Sequence, residues 1–127
     1  MAFDPMLFVD DVEATSRWFQ ALLGLKSAHG GKEYEMLMDD TGQLALQLHR
    51  ADAEEHGGER LPAGSARGAG VLLYCKVADV RAAHAKAKAM HATVEGEPVF
   101  IKLAGHTEFV VRTPDGYAIA VCQRGEA

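Results

Sequence analysis

The sequence predicts an α+β fold made of two βαβββ modules, and three observations carry that expectation. Val9-Asp10-Asp11-Val12 recurs 68 positions later as Val77-Ala78-Asp79-Val80. After each copy one helical face keeps the same offset: Val12 with Val80, Thr15 with Ala83, Phe19 with Ala87 and Leu22 with Met90. Farther on, Leu46-Gln47-Leu48 answers to Ile119-Ala120-Val121 at an offset of 73, the drift being a few residues of loop. A duplicated strand-helix-strands unit cannot bury its apolar face alone, so the two copies are expected to share a sheet, with a pocket at their seam.

Each element has a local reason. Pro5 to Asp10 is a short apolar run without helical period, closed by Asp11, whose carboxylate can accept from the free amides of a first helical turn. The helix then runs from Val12 to Leu23 and stops at Gly24, the residue type that most easily turns left-handed after a last turn. Strands follow over Leu25 to His29, Glu33 to Met38 and Leu44 to His49, with turns at Gly30-Gly31 and Asp39-Asp40-Thr41-Gly42. Residues 51–69, rich in Gly, Ala and charge, read as an exposed linker between a first module over 1–50 and a second over 70–127, within a single domain over 1–127. The second module repeats the order: strand Val71 to Val77, helix Val80 to Met90, then strands over Thr93 to Leu103, Thr107 to Arg112 and Tyr117 to Gln123. Thr113-Pro114-Asp115-Gly116 makes the final turn, Pro presetting one dihedral and Gly free to take positive φ.

Composition mostly excludes. The 127 residues, 48% of them hydrophobic, suffice for one real core and contain no apolar run long enough to span a bilayer. The formal net charge of -5, with lysines and arginines scattered, argues against a nucleic-acid partner. The opening MAFDPMLF has no basic region before an apolar stretch, so a cytoplasmic location is the default expectation. Cys75 and Cys122 lack a metal-ligand spacing and read as small buried hydrophobes. No Ser-His-Asp or Cys-His arrangement and no phosphate-binding glycine loop emerges, so no catalytic residue is assigned.

Strand alternation sorts the faces. In Leu44 to His49 the leucines alternate with Ala45, Gln47 and His49, so the leucines should pack on a helix and the other three should line a concave face. The same parity sends Tyr117, Ile119 and Val121 to the helices and Ala118, Ala120 and Cys122 to the concavity. In the fifth strand Leu72, Tyr74 and Lys76 turn inward. An open face carrying Tyr74, Gln47 and His49 among alanines suits a cavity better than a core.

VDDVEATSRWFQALLGL resembles the opening of the vicinal oxygen chelate superfamily, with its strand, helix-start Asp, aromatic pair and Leu-Gly-Leu; GHTEFVVRTPDGYAIAV resembles its closing signature. The resemblance spans nearly the whole chain. It implies an incomplete β-barrel with a concave pocket and a homodimer with cups at or near the subunit interface. It leaves function wide, because the superfamily includes glyoxalase I, extradiol dioxygenases, fosfomycin resistance enzymes and bleomycin-resistance-like proteins that sequester a drug unaltered.

A metal site divides those classes, and the resemblance places its four ligand positions on Asp4, Gln47, Leu72 and Ala120. Leu and Ala offer no lone pair, and a catalytic divalent ion needs about three protein donors. A metal-free, cofactor-free pocket is therefore expected. His49, two residues beyond Gln47, can be read as a pocket donor, a substitute ligand, a general base or an ordinary rim histidine. His106 reads as a solvated turn residue, and His29, His56, His84 and His91 receive no role. Glu33, Glu35 and Glu108 are carboxylate candidates for the cup, although an exposed sheet edge is the commoner setting.

The leading expectation is a protein that binds a small apolar or aromatic molecule, such as an antibiotic. Phe8, Tyr74 and Phe100 would supply burial and stacking, and Gln47, His49 and Arg112 polar anchors. The alternative is a lyase, isomerase or dioxygenase with an atypical metal site, or with His49 as a base.

Overall fold

The computed structural model describes residues 1–52 and 65–127, which fall into two compact units, Met1–Ala66 and Arg67–Ala127. Most of the linker expected over 51–69, and His56 with it, lies outside the described residues.

The first unit runs β1 (Met6–Val9), α1 (Val12–Leu23), β2 (Lys26–Ser27), β3 (Tyr34–Met38) and β4 (Leu44–Arg50), in a four-stranded sheet of order β1-β4-β3-β2. β1 lies parallel to β4, and the other pairs are antiparallel. Asp11 caps α1 by accepting from the Ala14 amide at 2.9 Å, and Gly24 closes it at φ 70°. The stripe Val12, Thr15, Phe19 and Leu22 is buried, as are Leu7, Val9, Leu37, Leu46 and Leu48 from the strand positions facing it. The other face, carrying no helix, presents Met6 and Phe8 from β1, Tyr34 and Met36 from β3 and Gln47 and His49 from β4.

The second unit repeats this plan with β5 (Leu72–Lys76), α2 (Val80–Ala89), β6 (Thr93–Ile101), β7 (His106–Arg112) and β8 (Ala118–Arg124), ordered β5-β8-β7-β6. Asp79 caps α2 through the Ala82 amide at 3.0 Å. The helix ends one residue earlier than expected: His91 takes φ 57°, its amide donates to the Lys88 carbonyl, and the Ala92 amide donates to the Ala87 carbonyl. This is a Schellman closure with histidine where glycine is usual. At Gly68, where φ is +73°, a Cβ would stand 2.6 Å from the Tyr117 ring, so that position requires glycine.

The eight strands thus form the two βαβββ modules of an α+β fold, as two four-stranded mixed sheets not closed into a barrel. The expectation that the modules share a sheet is corrected. In each unit the first strand pairs in parallel with the last, so every module completes its own sheet. The strand expected over Leu25 to His29 shrinks to Lys26–Ser27, because the backbone beyond it curls around Glu35.

Candidate functional site

In the first unit the open face is a row of rings. Phe8, His49 and Tyr34 occupy one register level across three neighbouring strands. The Phe8 and His49 centroids lie 5.8 Å apart, Tyr34 and His49 6.3 Å, and His29 stands edge-on to Tyr34 at 4.9 Å. One register step away, the Gln47 amide accepts from the Tyr34 hydroxyl and donates to the Asp4 carbonyl at 3.1 Å. Burial, then the negative charges of Asp4 and Glu35, push the Tyr34 hydroxyl above its ordinary pKa, so it stays protonated and donating.

His49 is only 3% exposed, which removes the reading of a rim histidine. Its Nδ1 lies 3.0 Å from the Arg50 carbonyl oxygen. A carbonyl can only accept, so Nδ1 is the donor in this contact, and the bond fixes the orientation of the ring.

Glu35 is not in the cup. Strand parity turns it to the α1 side, where it is 3% exposed and accepts from Ser16 and Ser27 hydroxyls at 2.8 and 2.6 Å and from the Gly30 and His29 amides at 2.8 and 3.2 Å. Burial alone would raise its pKa. The Ser27, Gly30, Ser16 and His29 donors together outweigh burial and hold it below the usual glutamate value. Glu33, at the edge, pairs with Arg50 at 2.5 Å.

In the second unit the open face carries Leu72, Tyr74 and Lys76 from β5, Ala118, Ala120, Cys122 and Arg124 from β8, and His106, Glu108, Val110 and Arg112 from β7. Tyr74 is 55% exposed, with its ring 5.6 Å from that of His106. His106 is no free turn residue: it opens β7 and meets Glu108 at 2.6 Å. Arg112 is engaged by Glu95 at 2.5 Å and the Gly116 carbonyl at 3.2 Å. Burial raises the pKa of both thiols, Cys75 and Cys122, which keeps them protonated and unreactive.

Phe100 is a correction. It stands in register with Thr107, and Thr107 with Gln123, whose side chain accepts from the Val80 amide at the start of α2. Phe100 therefore belongs to the helix face, opposite Tyr74. The alternation of β7, with Phe109 edge-on to His84 of α2 at 5.0 Å, is the signal that places it. His84, read as idle, is buried and bonded to the Gly96 carbonyl at 3.1 Å, a structural role invisible from sequence neighbours. Tyr34 is the site residue that sequence reasoning missed, although the parity that selects Gln47 and His49 in β4 selects it in β3.

The four positions that the resemblance gives to metal ligands do not fit a divalent ion. Leu72 and Ala120 have no donor atom, and the Gln47 amide is engaged by Tyr34 and Asp4. Among the described residues no three His, Cys, Asp or Glu side chains gather as a metal site. No helix among them is long and apolar enough to cross a membrane.

Comparison with solved structures finds the same fold. A protein of unknown function from Agrobacterium tumefaciens str. C58 is 28% identical, with a TM-score of 0.78 over 97% of this chain and 94% of that one. A glyoxalase-related enzyme from Fulvimarina pelagi is 18% identical, with a TM-score of 0.78 over 98% of this chain and 88% of that one. A glyoxalase/bleomycin resistance protein/dioxygenase from Nocardioides is 17% identical, with a TM-score of 0.77 over 100% and 85%. No curated protein matches. The family model for the Glyoxalase/Bleomycin resistance protein/Dioxygenase superfamily matches residues 4–121, and the chain, with its duplicated βαβββ plan, belongs to that superfamily.

Proposed function

We propose that the protein binds a small apolar or aromatic molecule on the open face of its sheets, without a resident metal, and releases it unchanged. An antibiotic is one such molecule. The observation that carries the reading is the ring row Phe8, His49 and Tyr34, bordered by Met6 and Met36 on a face with no helix of its own. Rings offset at such spacings take up flat apolar ligands by burial and edge contact, and methionine adapts to their outline. The test is a fluorescence titration of chelator-treated protein with the neutral aromatic probe N-phenyl-1-naphthylamine. Binding survives chelation, and Tyr34→Ala weakens it by roughly 1–3 kcal/mol, the worth of one buried aromatic contact. Binding that is lost on chelation, or indifferent to Tyr34→Ala, contradicts the reading.

One observation favours a second reading, an enzyme with His49 as general base: the imidazole is held in one orientation by the Arg50 carbonyl, 3.0 Å from Nδ1, within the ring row of Phe8 and Tyr34. In that case His49→Ala lowers turnover about a hundredfold with affinity kept, whereas in a sequestering protein it costs affinity by about one hydrogen bond.

We also propose a homodimer, since each module of this size buries too little surface alone. Light scattering at micromolar concentration is expected to give twice the chain mass; a value of 13.7 kDa contradicts it.

A further inference from the structure

We propose that the second unit carries a built-in anion subsite, formed by Lys76 and Arg124, so that the molecule bound is an apolar body with a single oxyanion head, a carboxylate or sulfonate. The inference rests on the reading that the open faces bind small apolar ligands, and names the polar end of a ligand taken up on the second unit's own face.

The site is a pocket of about 80 Å³ at one end of the second sheet, lined by Lys76, Ala104, Gly105, His106, Cys122 and Arg124. Liquid water takes about 30 Å³ per molecule, so the space suits two or three waters or one small oxyanion head. Its three basic side chains come from three strands. Lys76 ends β5, Arg124 ends β8 and His106 begins β7, with Lys76 in register with Cys122 and His106 with Arg124.

Their partners differ. His106 already has a carboxylate, Glu108 at 2.6 Å. Arg112, farther along the same face, is held by Glu95, and Arg67 by Asp115. Among the described residues Lys76 and Arg124 have no ion pair, and they flank a pocket whose floor is the buried thiol of Cys122. Two exposed cations without ion pairs of their own, converging on one small pocket, attract an anion, while Glu108, in register with Cys122 on the same face, is bonded to His106.

The same face supplies the apolar half. Leu72 and Tyr74 precede Lys76 along β5, and both are exposed, as are Val99 and Ile101 on β6. From Leu72 to Lys76 the strand covers roughly 13 Å, enough to seat a small apolar body beside its acid group.

The test compares two probes on wild type and on the double variant Lys76→Gln, Arg124→Gln. One probe is 8-anilinonaphthalene-1-sulfonate, the other neutral N-phenyl-1-naphthylamine, which differs by lacking the sulfonate. Wild type binds both. The double variant loses about tenfold or more in affinity for the sulfonate and stays within about twofold for the neutral probe, which also certifies its fold. Added salt weakens only the sulfonate, and only in wild type. Equal losses for both probes, or no loss for the sulfonate, overturn the anion subsite while leaving the apolar reading in place. Failure of wild type to bind either probe overturns the apolar reading, and the subsite with it.

Discussion

Glu35 shows how a single buried side chain is tied to pH. Its carboxylate takes two hydroxyl and two amide donors from α1, β2 and the turn that follows. Its folded pKa is held below the ordinary value. A carboxyl that releases its proton more easily when folded adds stability above its unfolded value, about 4.3, and that stability disappears as pH falls toward the folded value. Denaturant titrations from pH 7 down to 3 are therefore expected to show wild type losing more stability than Glu35→Gln across the acid range. At pH 7 the variant is less stable by roughly 1.5–3 kcal/mol, the worth of hydrogen bonds to a charged acceptor. Parallel pH curves for the two proteins would deny Glu35 this role. At this scale the sequence was only half legible: alternation in β4 selects Gln47 and His49, while Glu35's partners, 19 and 8 residues away, emerge only after folding.

Among the elements, the helices were the most legible, because their signals are local. Asp11 and Asp79 act as the caps their positions announce, and α1 ends at the glycine that announces its stop. α2 has no such glycine and ends by forcing His91 left-handed, at φ 57°. That conformation costs an L-residue on the order of 1 kcal/mol. His91→Gly is thus expected to raise thermal stability, or at worst leave it unchanged once the entropy of glycine is counted. Asp79→Ala is expected to lower it by about 1 kcal/mol. A thermal melt in which His91→Gly is clearly destabilised would mean that the ring makes contacts worth more than the strain. Strand ends and the face of Phe100 were harder to read. Register depends on pairing with distant strands, and β6 shifts by a bulge between Glu95 and Val99.

Taken whole, the molecule is one frame used twice with different chemistry. Met6 pairs with Gln47 as Tyr74 pairs with Ala120, and Phe8 with His49 as Lys76 with Cys122. Tyr34 stands beside His49 where Glu108 stands beside Cys122. The frame survives in the two sequences because helix caps and buried stripes constrain it. The open faces are free to differ, so the first carries rings and the second carries charge. Which side of a sheet receives a ligand decides between this reading and any other. The direct measurement is methyl NMR on chelator-treated protein titrated with N-phenyl-1-naphthylamine. The Met6 and Met36 methyls on the open face are expected to shift on saturation, while those of Leu46 and Leu48, packed on the α1 side, hold still. Shifts concentrated in Leu46 and Leu48, with Met6 and Met36 unmoved, would contradict binding on the open face.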